Sequence, residues 1–148
     1  MDWDSYFREI AELAAKRSPC KRRQIGAVLA RDHVVISTGY NGPPRGVPHC
    51  VTCRRATAKD PRRCPAVHAE VNAIVNAARL GVSPIGATLY LTCEIPCKDC
   101  FGVIINAGIV EVVVAKLERY DYLSGWMLTT GRHTLRVRDY LQTQNVLS

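Results

Sequence analysis

The amino-acid sequence predicts an α/β fold, a three-layer α-β-α sandwich whose mixed sheet has about five strands, and three observations carry that prediction. An opening segment repeats its apolar residues at helical spacing, short β-branched runs then alternate with helix-forming segments, and residues 109–115 form an unbroken apolar run with polar flanks. The last pattern is that of a strand covered on both faces, as parallel pairing inside a helix-flanked sheet requires.

Residues 3–17 set Trp3, Tyr6, Phe7, Ile10, Leu13 and Ala14 three and four apart, which makes one helix face apolar. Residues 24–30 and 34–40 are short β-branched runs joined by the polar Arg31-Asp32-His33, the pattern of a hairpin. Residues 41–65 are rich in Gly, Pro, Cys and Arg and have no period. A structureless loop beyond ~12–15 residues is uncommon in a compact domain, so something must hold this one. Residues 67–80 combine strong helix formers with Gly81 just beyond them, and 87–92 read as a strand. Residues 97–106 form the next helix, with Pro96 in front and Gly108 behind, and 109–115 the buried strand. Past Lys116 the pattern weakens to a helix over 120–130 and a last strand at 134–137.

At 148 residues the chain fits one domain, residues 1–148. Its apolar runs are far shorter than the ~20 residues of a membrane-spanning helix, and residues 1–10 are too acidic and mixed for a signal peptide. A soluble cytoplasmic protein is expected. Seven cysteines, an odd number with no secretory signal, argue for metal-binding thiolates over a disulfide framework. The formal charge of +7 suits phosphate-bearing partners without choosing among nucleotides, nucleic acid and acidic surfaces.

The informative residues are His68 and Glu70, in Val67-His68-Ala69-Glu70, and Cys97 and Cys100, in Pro96-Cys97-Lys98-Asp99-Cys100. Both segments begin predicted helices. Two cysteines three apart meet on one helical turn, and a histidine from a neighbouring helix completes three zinc ligands, leaving the fourth position open for a water. Such a water is acidified towards a pKa of ~7, and helix N-termini favour the thiolates that bind the metal. Glu70 is then a non-ligand carboxylate able to move protons. Taken singly, His68 is an ordinary surface or core histidine, Glu70 a first-turn acid, and Cys97 with Cys100 a redox pair or half of a structural zinc site. Their joint order, with a strand between the two helix starts, outweighs those readings.

His-x-Glu followed by Pro-Cys-x-x-Cys is the mark of the zinc nucleobase deaminases. With it the chain resembles the cytidine and deoxycytidylate deaminase family over roughly residues 6–122, through Gln24-Ile25-Gly26-Ala27-Val28, Gly39-Tyr40-Asn41-Gly42, Pro48-His49-Cys50, His68-Ala69-Glu70-Val71-Asn72-Ala73-Ile74, Gly86-Ala87-Thr88-Leu89-Tyr90 and Asn106-Ala107-Gly108-Ile109. The Gly-Tyr-Asn-Gly and His-Ala-Glu-x-Asn-Ala-Ile segments are most similar to the deoxycytidylate branch. The resemblance implies a cytidine deaminase-like fold, zinc on His68, Cys97 and Cys100, and hydrolysis of dCMP to dUMP and ammonia, with attack at cytosine C4 and Glu70 as proton shuttle. It further implies that Asn41 bonds the sugar, that Arg79 and Tyr120 contact the nucleotide phosphate, and that the protein is a homo-oligomer, commonly a hexamer, with dCTP and dTTP as effectors in some members. Glu94-Ile95 ahead of Pro96, where relatives more often carry an aromatic or small residue, departs from the family pattern, and the tail beyond Leu123 matches little of it.

Cys20, Cys50, Cys53 and Cys64 supply four further thiolates, three of them in the long loop, and four thiolates close a tetrahedron around a structural zinc that would hold it. His49 and His33 are alternative ligands. Cys93, on a predicted core strand, reads as a small buried apolar residue. The rival from another class is a nucleic-acid-binding zinc module, suggested by Cys50-x-x-Cys53, Cys97-x-x-Cys100 and arginines at 54, 55, 62 and 63. It leaves Glu70 without a role, and its CxxC pairs stand much further apart than the ~15–20 residues usual in zinc ribbons, so a small nucleotide is the expected partner. Among deaminases the alternative substrates are a free base, a nucleoside, dCTP, a C5-altered pyrimidine or single-stranded nucleic acid.

Overall fold

The computed structural model describes residues 1–55 and 60–141. Helix α1 (Trp3–Ala15) starts where the Asp2 carboxylate accepts the Ser5 N–H at 2.9 Å, and it buries Phe7, Ala11 and Ala15. Strands β1 (Gly26–Arg31) and β2 (Val34–Tyr40) form an antiparallel hairpin. Asp32 and His33 both take positive φ, 53° and 63°, the handedness a two-residue hairpin turn needs, while Arg31 pairs with Val34 inside the ladder. The turn is therefore one residue shorter than the sequence reading had it.

After a 3-10 turn at Pro61–Arg63 come α2 (Ala69–Arg79), β3 (Thr88–Leu91), β4 (Glu94–Ile95), α3 (Lys98–Asn106), β5 (Glu111–Val114), β6 (Lys116–Arg119), α4 (Tyr122–Thr130) and β7 (Arg136–Asp139). The main sheet has five strands in the order β2-β1-β3-β5-β7. β1 runs antiparallel to β2 and β3, and β3, β5 and β7 are parallel, so the sheet is mixed as predicted.

Alternation along the strands sorts the core into two layers. Val28, Ala30, Tyr90 and Val113 turn towards Phe7 and Ala11 of α1. Ala27, Leu29, Leu89, Leu91, Val112 and Val114 turn the other way, onto Ala69, Ala73 and Ala77 of α2 and Phe101 and Ile104 of α3. Two glycines let the helices lie close. A Cβ on Gly26 would sit 1.9 Å from the Ala11 carbonyl oxygen, and one on Gly39 would sit 2.4 Å from both the Ala69 oxygen and the Ala73 nitrogen.

A second, two-stranded parallel sheet pairs β4 with β6 and is absent from the sequence reading. β4 is too short to show a period, and all four residues of β6 are exposed, so neither offers a hydrophobic pattern. Its effect is to fix the segment between β3 and α3. Among the described residues no helix is long and apolar enough to cross a membrane.

Candidate active site

Two helix starts converge where β3 ends. His68 is the N-cap of α2 and Cys97 that of α3, both in extended backbone conformation and neither using its side chain to cap. Their side chains are left to meet each other. The His68 Nδ1 lies 3.2 Å from the Cys100 Sγ and 3.6 Å from the Cys97 Sγ, and the three ligand atoms all fall within 4.8 Å of one another. Zinc bonds of about 2.0–2.1 Å to nitrogen and 2.3 Å to sulfur at tetrahedral angles separate N from S by roughly 3.6 Å, so the trio fits zinc in donor type and spacing. Cys100 is buried, Cys97 half-buried and His68 exposed, an arrangement closed behind and open in front.

The electrostatics agree. A proton shared with Cys100, and the adjacent His68 ring, hold the Cys97 thiol down to about 4, while the same sharing and burial push the Cys100 thiol up. The Cys97 hydrogen bond in turn raises His68 above its usual 6.5.

Glu70, in the first turn of α2, is 4% exposed, and burial raises its carboxyl above the usual 4.5. Its side-chain neighbour is the Cys93 thiol, which donates to Oε1 at 4.0 Å. Cys93 is 5% exposed, as its small apolar reading predicts, and it also forms part of the cavity wall.

That cavity, of about 250 Å³, is lined by His68, Glu70 and Cys97 together with Asn41, Tyr120, Arg22, Arg23, Arg55 and Glu94. Asn41 is buried, its Oδ1 accepting the Ile25 N–H and its Nδ2 donating to the Arg23 carbonyl, both at 2.8 Å. One amide hydrogen and one lone pair remain for a ligand. Tyr120 sits between β6 and α4, brought there because Asp121 caps α4 by accepting the Ser124 N–H at 2.8 Å.

Arg79 is not brought to this cavity. It ends α2, about 14 Å along the helix from Glu70 at 1.5 Å per residue, and lines a separate groove with Arg45 and Asn76. The cavity residues that the sequence reading left out are Arg22, Arg23 and the paired Glu94; Arg23 donates from both terminal nitrogens to the Glu94 carboxylate, one of them at 2.7 Å. Arg55 entered that reading as part of the arginine-rich loop over 54–63, which fits a phosphate or single-stranded substrate, and as support for a nucleic-acid module. Glu94 was marked only as a departure from the family pattern.

Cys20, Cys50, Cys53 and Cys64 are free thiols lining one small adjoining cavity of about 30 Å³. Among the described residues only His68, Cys97 and Cys100 bring three ligand atoms within 4.8 Å.

Three protein ligands with one open side, beside a buried carboxylate that is not a ligand, define a hydrolytic zinc centre on a mixed α/β sheet. The family model for the cytidine and deoxycytidylate deaminase zinc-binding region matches residues 1–116. The chain is 46% identical over 125 residues to the deoxycytidylate deaminase of Mycobacterium phage D29, covering 78% of this chain and 95% of that one. It is 40% identical over 151 residues to the Saccharomyces cerevisiae deoxycytidylate deaminase, covering 98% of this chain but 47% of the longer yeast protein. The crystal structure of the dCMP deaminase from cyanophage S-TIM5 in complex with dCMP and dUMP superposes with a TM-score of 0.75 at 27% identity, over 91% of this chain and 94% of that one. The protein belongs to the cytidine and deoxycytidylate deaminase family.

Proposed function

We propose that this protein hydrolyses dCMP to dUMP and ammonia. The observation that carries the reading is the His68, Cys97 and Cys100 trio and the buried Glu70 opening on one cavity. The deoxycytidylate deaminases among its relatives choose the substrate.

His68, Cys97 and Cys100 would hold the zinc, which would supply the Lewis acidity that acidifies the attacking water. Glu70 takes one proton from the attacking water and gives it to N3 of the cytosine ring, then takes the proton of the new hydroxyl at C4 and gives it to the amino group, which departs as ammonia as the C4 carbonyl forms. Burial, which raises its carboxyl above the usual 4.5, favours the protonated form it takes between those transfers. The remaining amide hydrogen and lone pair of Asn41 bond the sugar, and Tyr120 contacts the phosphate end of the nucleotide. Arg79, outside the cavity of its own chain, reaches nucleotide phosphate only across a subunit boundary.

The same reading includes a structural zinc held by Cys20, Cys50, Cys53 and Cys64, whose thiols share one cavity and whose closure would hold the 41–65 loop. It takes the whole of 1–148 as one cytoplasmic deaminase domain, assembled as a homo-oligomer with the hexamer favoured and answering to dCTP and dTTP. Exposed Tyr122, Leu123 and Trp126 on α4 supply apolar surface for such an assembly.

The test is ammonia release from dCMP, dCTP, deoxycytidine, cytosine and a short single-stranded DNA, with zinc counted per chain and Glu70→Ala as control. Turnover of dCMP, lost in the control, with two zincs per chain is expected. Zinc-loaded protein that turns over none of the five refutes the enzyme and favours the binding module.

A further inference from the structure

Helix α3 begins with a need that its own N-cap does not meet. The first N–H groups of a helix have no partner within it, and an N-cap side chain usually accepts from one of them. Cys97 is the N-cap of α3 but makes no such bond, its thiol being turned towards His68. The acceptor comes from elsewhere in the chain. The Asp121 Oδ2 accepts the Lys98 N–H, the first of α3, at 2.8 Å, and a carboxylate suits that end of the helix dipole.

The same carboxylate is anchored on its other side. Its Oδ1 accepts the Ser124 N–H at 2.8 Å as the cap of α4, and the hydroxyl of the buried Ser124 donates to the Asp121 carbonyl at 3.0 Å. One side chain thus starts two helices, and the one it reaches across 23 residues carries two of the three zinc ligands, Cys97 and Cys100. On the other side of Cys97, Ile95 of β4 is paired with Arg119 of β6. Cys97 therefore hangs between residues 95 and 98, both fastened to the segment 119–121, whose Tyr120 lines the active-site cavity. Pairing at Ile95 holds this turn at one end, and the Asp121 bond fixes the other.

We propose that Asp121 is a positioning residue of the zinc centre, supplying to α3 the cap that Cys97 gives up and so holding the Cys97 sulfur in place beside His68 and Cys100. This rests on the zinc site of the deaminase reading, but it is read out by metal binding and needs no turnover. Were Asp121 only the cap of α4, its bond to Lys98 would be dispensable to the metal.

The bond can be cut from the Lys98 side without touching Asp121 or a ligand. Lys98→Pro deletes the N–H, yet proline suits the first position of a helix and favours an extended residue before it, the conformation Cys97 already has at φ −61° and ψ 163°. Lys98→Ala is the control, since it keeps the N–H and loses only the exposed side chain paired with Asp99. Zinc affinity is measured by competition with a chromophoric chelator in wild type, Lys98→Ala, Lys98→Pro, Asp121→Ala and the double variant of the last two. Co(II)-substituted protein reports the thiolate-to-metal charge-transfer band, and the part of each signal that Cys97→Ala abolishes belongs to this site. Groups that support metal ligands are worth about 10- to 100-fold in affinity. A loss of that size with an altered band is expected in Lys98→Pro and in Asp121→Ala, no greater in the double variant and absent from Lys98→Ala. Wild-type affinity and band in Lys98→Pro, an equal loss in Lys98→Ala, or losses that add in the double variant overturn the proposal. Lys98→Pro carries the test should Asp121→Ala not fold. A wild type that turns over no cytosine substrate counts against the deaminase reading alone, because metal affinity is measured without substrate.

Discussion

Gly39→Ala tests whether the sheet sets the position of the catalytic residues. Helix α2 carries His68 and Glu70 on either side of Ala69, and Gly39 of β2 lies against that turn. A Cβ there would stand 2.4 Å from the Ala69 oxygen and the Ala73 nitrogen, both backbone atoms, against an ordinary contact of 3.4 Å or more. The helix must therefore retreat by about 1 Å. It cannot slide along the sheet, because the Ser37 hydroxyl donates to the Ala73 carbonyl at 2.7 Å, and Asn72 and Asn76 donate to the Tyr40 and Thr38 carbonyls at 2.8 Å. Tilting is what remains, and it moves the end bearing His68 and Glu70. Overpacking of this kind costs about 1–3 kcal/mol, which at about 2–4 °C per kcal/mol for a chain of this size lowers Tm by roughly 2–12 °C. Misplacement by about 1 Å costs about 10²-fold in activity. Gly102→Ala is the matched control, since its Cβ would meet only the Met127 methyl at 3.7 Å inside α3, and helix propensity predicts a gain of about 0.8–1 kcal/mol. Ammonia release and thermal unfolding of both variants decide. Gly39→Ala with wild-type Tm and kcat/KM refutes the packing argument, and a lowered Tm with undiminished kcat/KM refutes the coupling of packing to site.

Glu70→Gln keeps its zinc, because Glu70 is not a ligand, and loses about 10²- to 10⁴-fold in kcat; metal analysis beside the rate separates the two effects. Cys97→Ala lowers the metal content by one zinc per chain and abolishes turnover, and undiminished zinc would remove Cys97 from the ligand set. Glu94→Gln reports on the ion pair with Arg23. The folded carboxyl lies below the usual 4.5, so its contribution is present above that value and is lost as pH falls through the folded one. The variant is therefore less stable than wild type at pH 7, and urea midpoints taken down the pH scale converge in acid; a gap that widens there contradicts the pairing.

The sheet and the zinc trio were legible in the sequence because both are written in short-range patterns. The β-branched runs at 24–30 and 34–40 and the apolar run at 109–115 mark strands, and Pro-Cys-x-x-Cys and His-x-Glu place donors at two helix starts. The boundaries came out narrower for a reason tied to the site. His68 and Cys97 read as residues of a first helical turn, yet both are extended N-caps, ψ 152° and 163°, and that conformation is what turns their side chains towards each other.

The cavity wall was not legible, because it is assembled from segments with no period and its meaning depends on pairings across the chain. Arg23 and Glu94 are 71 residues apart, and nothing near either one announces the other. A net charge of +7 and a run of arginines at 54, 55, 62 and 63 say that cations are plentiful, not which of them is free. Tertiary structure sorts them by pairing Arg23 with Glu94, carrying Arg79 to the far end of α2 and setting Arg22 and Arg55 in the cavity wall with His68 and Glu70. Which arginines border the cavity thus follows from how distant segments fold together, and counting arginines along the sequence cannot supply that information.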